Sequence, residues 1–227
     1  MIISHRHRFI FIKTEKTAGT SIEIALSRYC GPDDVITPIQ SGDERTRILS
    51  GGLSARNYFI QPWKYSRADA VEVLKTRRAA QFRNHSSAHF VRAHVPPEIW
   101  ETYFKFTIER NPWDKVISWY YWQHRTQPRP TISEFLRTPV AARIRGYDLY
   151  TISDELAVDR VFFFENLDRD MKELGGIFGL SGALDLPKTK SRHRDDRRPY
   201  REVLSDEDRD VVAEIYAREI ALFGYTW

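Results

Sequence analysis

The sequence predicts an α/β domain whose central, mainly parallel sheet is flanked by helices, and three observations carry that prediction. Short, β-prone apolar runs recur along the chain, and helix-periodic stretches follow them. Two of these strand-to-helix junctions hold polar residues suited to a helix N-terminus. With 227 residues, one domain spanning 1–227 is expected.

The elements follow in order. Phe9 to Ile12 is apolar at every position, as suits a central strand covered on both faces. A polar loop, Lys13 to Ser21, leads into a helix that repeats Ile22, Ala25, Leu26 and Tyr29 and stops at Gly31-Pro32. Residues 32–64 read as irregular surface, 67–82 as a helix, and Phe90 to His94 as a short strand ended by Val95-Pro96-Pro97. Phe104, Phe106 and Ile108 alternate with Lys105, Thr107 and Glu109, a strand with unlike faces. Asn111 is then an N-cap, Pro112 fits the first helical position, and the helix runs through Trp113, Val116, Ile117, Tyr120 and Trp122. Val161 to Phe164 makes a further buried strand, followed by helices over about Leu167–Phe178 and Asp206–Phe223. In such sheets ligands sit beyond the carboxyl ends of the strands. Residues 13–21, His94 and Glu109–Asn111 are all expected there.

Composition narrows the function classes. Hydrophobic residues at 41% and aromatics at 13% supply a core and exclude fibrous or disordered chains. A net charge of +4 is compatible with a small anionic ligand and does not call for nucleic acid. Cys30 is the single cysteine, which excludes an intrachain disulfide and a Cys-rich zinc site and fits a reducing compartment. The basic His5 to Arg8 is followed by only four apolar residues, too few for a signal peptide or a bilayer span of about 20. A cytoplasmic location is therefore expected.

Two clusters carry chemistry. In the first, Lys16, Thr17, Ala18, Gly19, Thr20 and Ser21 lie between a strand and a helix, where backbone N–H groups and the helix dipole favour an anion. The spacing is not Walker A, which needs a glycine directly before the lysine and another five residues earlier. The plain alternative is an ordinary helix start with a surface lysine. In the second, Arg110-Asn111-Pro112-Trp113-Asp114-Lys115-Val116-Ile117-Ser118, the guanidinium can hold a phosphate through paired hydrogen bonds, with Ser118 adding a hydroxyl. The alternative is that Arg110 pairs with a carboxylate and Ser118 caps a carbonyl. The aromatic run Trp119 to Trp122 reads as core rather than as a sugar platform, with one or two rings free to border the acceptor cleft.

Taken together, the two clusters resemble the paired signatures of sulfotransferases that use 3′-phosphoadenosine 5′-phosphosulfate, in the carbohydrate branch that includes the heparan-sulfate uronyl enzymes and bacterial relatives. Glu15 to Ser21 is similar to that family's Pro-Lys-Thr-Gly-Gly-Thr-Ser loop, with Glu15 in place of proline, and Arg110 to Ser118 is similar to its 3′-phosphate motif. Phe164-Glu165-Asn166-Leu167 and Phe223-Gly224-Tyr225 extend the likeness over nearly the whole chain. The resemblance implies a P-loop-NTPase-like three-layer domain, the phosphosulfate donor with 3′,5′-ADP as product, and a carbohydrate or glycoconjugate acceptor. It implies that Lys16 stabilises the leaving oxygen and that His94, followed by Val95, is the base, with His89, His85, Glu109 and Glu165 as alternatives. It also implies that a basic segment starting at Lys188 covers the nucleotide or an anionic acceptor, with Lys190 and Arg192 as cofactor contacts; the plain reading of that segment is a solvated loop. No metal is called for, because the protein's own cations face a transferring group of single charge. A P-loop-type kinase and a nucleic-acid-binding module are the rival classes.

Overall fold

The computed structural model describes residues 1–180, 184–187 and 194–227. The chain begins with a hairpin, β1 (Ile2–Ser4) and β2 (Phe9–Phe11), then α1 (Gly19–Ser27), β3 (Val35–Ile36), α2 (Ser41–Leu49) and α3 (Arg67–Thr76). Next come α4 (Ala88–His94), α5 (Pro97–Thr102), β4 (Phe104–Glu109), α6 (Pro112–Gln123) and α7 (Ile132–Leu136). They are followed by α8 (Tyr147–Tyr150), a small ribbon of β5 (Thr151–Ile152) and β6 (Glu155–Leu156), β7 (Arg160–Phe163) and α9 (Leu167–Ile177). The C-terminal part forms α10 (Tyr200–Val203), α11 (Asp206–Ile215) and α12 (Ala217–Phe223).

The sheet order is β3-β1-β2-β4-β7. β2, β4 and β7 run parallel, and β1 is antiparallel to both of its neighbours, β2 and β3. β3 therefore shares the direction of β2, and four of the five strands point one way. Side-chain alternation divides the burial. Phe9 and Phe11 face one side with Ile22, Ala25 and Leu26 of α1 and Met171 and Leu174 of α9. Ile10 and Ile12 face the other with Ala88 and Val91 of α4 and Leu149 and Tyr150 of α8. A third cluster, with Trp113, Val116, Tyr120, Phe135 and Val212, joins α6, α7 and α11 beside the sheet. The expected α/β architecture, helices flanking a mainly parallel sheet, is present.

Several expected elements are corrected. Phe90 to His94 is part of helix α4 rather than a strand. Ser87 caps that helix by accepting the Phe90 N–H, and Ala88, Val91 and His94 bury at helical spacing. The helix expected over 67–82 stops at Thr76, where Arg77 takes a left-handed conformation (φ 58°). The last helix breaks at Tyr216, whose hydroxyl donates to the Ala141 carbonyl (2.8 Å). The stretch 32–64 is not wholly irregular, because it contains β3 and α2. Tyr120 and Tyr121 are core as expected, while Trp122 is only half-buried.

Candidate active site

The register of β2 with β4 brings the two sequence clusters to one end of the sheet, because each lies directly after its parallel strand. In the first, Lys16 (φ 62°) and Ala18 (φ 60°) both adopt left-handed backbone conformations ahead of α1. Such turns gather successive N–H groups into an anion-binding concavity. The first turn of α1 carries no acidic residue and no side-chain cap, so its positive end is not neutralised there. Gly19 is required by space, since a Cβ there would meet the Lys13 side chain at 2.7 Å. Thr14 donates to the Ile108 carbonyl and lies 2.9 Å from the Thr17 hydroxyl, which ties the loop to β4. Thr17 thus braces the loop from within. Thr20 and Ser21 are buried in the first turn of α1, and the Lys16 ammonium sits 5.5 Å from the Trp122 ring centre.

Glu15, the residue that departs from the family loop, turns its carboxylate to the Arg145 N–H (2.9 Å) and pairs its own N–H with the Arg145 carbonyl. Beneath the loop Lys13 is buried against Glu23 (2.5 Å) and Asn84 (2.7 Å). Burial alone would raise the Glu23 carboxyl; Lys13, the Met1 amino group and Arg47 outweigh it and hold it at about 2.

Arg110 follows β4 and is 8% exposed. Its Nε and Nη2 donate to Asp114 Oδ2 (2.8 and 2.6 Å), Nη1 donates to the Lys16 carbonyl (3.0 Å), and the Phe164 ring lies 4.0 Å from the guanidinium. Three of its five N–H donors are thereby engaged, and the other two carry no hydrogen bond among the described residues. Burial would raise the Asp114 carboxyl, but Arg110 and Arg194 outweigh it and keep it below the ordinary range. Arg194 Nη1 meets Asp114 Oδ1 at 2.5 Å. Asn111 caps α6 through its Oδ1, and its N–H donates to Glu165 (2.7 Å), whose carboxyl burial pushes up. Ser118 is half-buried on α6 one turn after Asp114, and its hydroxyl has no hydrogen bond among the described residues. Arg110 thus has the carboxylate partner of the plain reading.

The histidines differ in kind. His94 Nδ1 lies 2.8 Å from the Phe90 carbonyl and Nε2 lies 2.7 Å from Asp69. A carbonyl only accepts, so Nδ1 carries a proton, and the Asp69 contact is a hydrogen bond only when Nε2 is protonated too. His85 Nδ1 donates to the Lys13 carbonyl (2.9 Å), which makes Nε2 the lone-pair nitrogen, and Nε2 accepts from Asn84 Nδ2 (3.4 Å). Burial, with Lys13 adding to it, lowers His85 to about 3, so the ring is neutral. His89 is exposed on α4. Glu109 is fully buried and bonded to Lys115 (2.7 Å) and Tyr150 (3.0 Å). Lys190 and Arg192 lie outside the described residues. Among the described residues of the same basic segment, Arg194 reaches Asp114 beside Arg110; the sequence reading counted it in that segment without naming it as a contact. Asp114, four residues after Arg110 and in the first turn of α6, was open to discovery as its partner from spacing alone.

Comparison with known proteins gives a profile, described as "Sulfotransferase family", that matches residues 1–226. A protein of Archaeoglobus fulgidus, described as uncharacterized, is 29% identical over 104 residues, covering 44% of this chain and 87% of that one. The crystal structure of mouse sulfotransferase SULT7A1 complexed with PAP aligns at 12% identity with a TM-score of 0.46, covering 99% of this chain and 91% of that one. The profile match takes in the loop, the Arg110 motif and both strands that present them, and on it the chain belongs to the sulfotransferase family.

Proposed function

We propose that this enzyme moves a sulfuryl group from 3′-phosphoadenosine 5′-phosphosulfate to a hydroxyl of a carbohydrate or glycoconjugate. The observation that carries the reading is the Arg110–Lys16 carbonyl hydrogen bond, which fastens the two anion-suited motifs into one site. Family membership supports the same chemistry.

In this reading the loop N–H groups, Lys16, Thr20 and Ser21 hold the 5′-phosphosulfate, and Thr17 shapes the loop around it. Arg110 and Ser118 hold the 3′-phosphate and so select the donor over ATP. Lys190 and Arg192 would cover the nucleotide, next to Arg194. Catalysis rests on in-line positioning and on Lys16 stabilising the charge that grows on the bridging oxygen. For the acceptor proton His94, the sequence candidate, is the base once it releases Asp69. His85 is the poorer base, because burial holds its ring at about 3 and its Nε2 already accepts from Asn84 Nδ2 (3.4 Å). A reducing, cytoplasmic setting accords with Cys30, a buried thiol.

The kinase alternative requires a strand-end carboxylate open to Mg²⁺; Glu109, at the end of β4, is instead buried and paired with Lys115. The test is transfer of label from ³⁵S-labelled donor to a pool of oligosaccharides. Label in the oligosaccharides supports the reading. Turnover of ATP and Mg²⁺ with the sulfate donor inert overturns it.

A further inference from the structure

At the end of β4 the chain buries an ion pair that no step of the transfer uses. Glu109 and Lys115, six residues later on α6, are both fully buried, with Lys115 Nζ 2.7 Å from Glu109 Oε1. Such a pair contributes little net stability, because desolvation of the two charges offsets their attraction, and a well-packed apolar pair serves as well. What a carboxylate adds is two oxygens with separate tasks. Oε1 accepts the Arg110 backbone N–H (2.9 Å) as well as the Lys115 ammonium, and Oε2 accepts the Tyr150 hydroxyl (3.0 Å). The Glu109 side chain thus ties down the backbone of Arg110, whose guanidinium donates to the Lys16 carbonyl.

The same pair also touches the segment that holds the other motif. A Cβ at Gly146 would meet Lys115 Nζ at 2.5 Å and Glu109 Oε2 at 3.1 Å, so the backbone there comes as close as only glycine allows. The preceding residue, Arg145, accepts the Glu15 N–H (3.1 Å) and donates its own N–H to the Glu15 carboxylate (2.9 Å). Glu15 directly precedes Lys16. A second carboxylate, Glu219 of α12, accepts the Tyr147 N–H (3.4 Å) and lies 3.3 Å from the same Cβ position. Burial pushes the Glu219 carboxyl up although Lys115 opposes the shift, and among the described residues Lys115 hydrogen-bonds to Glu109 alone. One buried ammonium therefore sits between the strand end that carries Arg110 and the segment that holds Glu15.

We infer that Lys115 is a positioning residue: by orienting Glu109 toward the Arg110 N–H and packing against Gly146, it fixes the spacing between the Arg110 motif and the loop before α1. The inference rests on the sulfotransferase reading given above. Lys115 touches no ligand, and its effect passes through the backbones of Arg110 and of Arg145. The consequence is selectivity. 5′-AMP needs only the loop, whereas 3′,5′-ADP needs both motifs at the right spacing, and small misplacements of a supporting group weaken such two-point recognition.

The test compares the wild-type chain with Lys115→Met and with the double variant Glu109→Gln/Lys115→Met. Lys115→Met leaves a carboxylate buried without its cation and should unfold at a lower temperature. The double variant removes both charges and should recover most of that loss. Its amide offers one oxygen where the carboxylate offered two, so the Arg110 N–H and the Tyr150 hydroxyl are no longer served by separate oxygens. Calorimetry with 3′,5′-ADP and 5′-AMP, well below each unfolding temperature, reads selectivity, and the Arg110 backbone N–H signal in NMR reads position. In the double variant the Arg110 signal should move and the preference for 3′,5′-ADP over 5′-AMP should fall roughly tenfold or more, with 5′-AMP affinity changed by less than about threefold. A double variant that keeps the wild-type preference, that loses both nucleotides equally, or that is no more stable than Lys115→Met shows the pair to be structural only and overturns the inference. Failure of the wild-type chain to prefer 3′,5′-ADP over 5′-AMP marks the separate failure of the donor reading.

Discussion

Replacing Arg110 by alanine tests how the two motifs work together, and the structure gives the size of two effects. The first is on folding. The change deletes both hydrogen bonds to Asp114 Oδ2 and the one to the Lys16 carbonyl, while Arg194 still holds the other Asp114 oxygen. A partly buried carboxylate that loses one of its two cations costs about 2–4 kcal/mol of stability, at the lower end of what breaking a buried pair costs, because the second cation remains. The second effect is on binding. Two guanidinium N–H donors carry no hydrogen bond among the described residues, and the loss of charge-assisted bonds to a phosphate should weaken 3′,5′-ADP by about 2–4 kcal/mol, roughly 30- to 1000-fold. 5′-AMP lacks the 3′-phosphate and should change by less than about threefold. Thermal unfolding reads the first effect, and calorimetry on both nucleotides, well below the variant's unfolding temperature, reads the second. Equal losses for the two nucleotides would show that Arg110 only braces the loop, and the assignment of the 3′-phosphate to this residue would fall.

Other expectations follow from the same contacts. Lys16→Ala should cut turnover by about 10²-fold or more while shifting 3′,5′-ADP affinity much less, measured by kcat against Kd; loss of affinity alone would place its role in binding. His94→Ala should lower kcat by roughly 10²–10⁴-fold with the 3′,5′-ADP affinity nearly unchanged, and an equal or larger loss in His85→Ala would move the proton acceptor to that residue. His94→Ala should speed hydrogen exchange across α3, a helix with no buried residue that His94 holds through Asp69, whereas the exposed His89→Ala should not. Glu23 releases its proton far more easily folded than unfolded, so it contributes stability above pH 4.5 that is lost as pH falls toward about 2. Acid unfolding should therefore flatten in Glu23→Gln, and an unchanged acid limb would place the loss in other carboxylates.

The parts of the site legible in the sequence were those with a local signature. The loop before α1 and the Arg110 motif each join a strand to a helix within a few residues, so spacing and capping chemistry located them. The Phe164 and Glu165 segment, read as a strand end, a family likeness and a reserve base, turns out to wall the Arg110 site just after β7. What stayed hidden depends on contacts remote in sequence. The partners of Lys13 are Glu23 and Asn84, and Glu15 meets Arg145 across 130 residues. The run Phe90 to His94 satisfies a strand pattern and a helix pattern equally, and the Ser87 cap together with burial against β2 decided for the helix. That outcome also moved His94 from a strand end to a helix C-terminus, where Asp69 holds it. Residues 32–64 read as irregular because β3 is only two residues long and α2 buries little beyond Arg47.

The central claim is that the ends of β2 and β4 form one binding site for a nucleotide with both 3′- and 5′-phosphates. Its most direct test is calorimetry of the wild-type chain with 3′,5′-ADP, 5′-AMP and ATP with Mg²⁺. The account predicts that 3′,5′-ADP binds roughly 30-fold or more tightly than 5′-AMP, with ATP weaker than 3′,5′-ADP as well. Equal affinity for 3′,5′-ADP and 5′-AMP, or a preference for ATP with Mg²⁺, would contradict it.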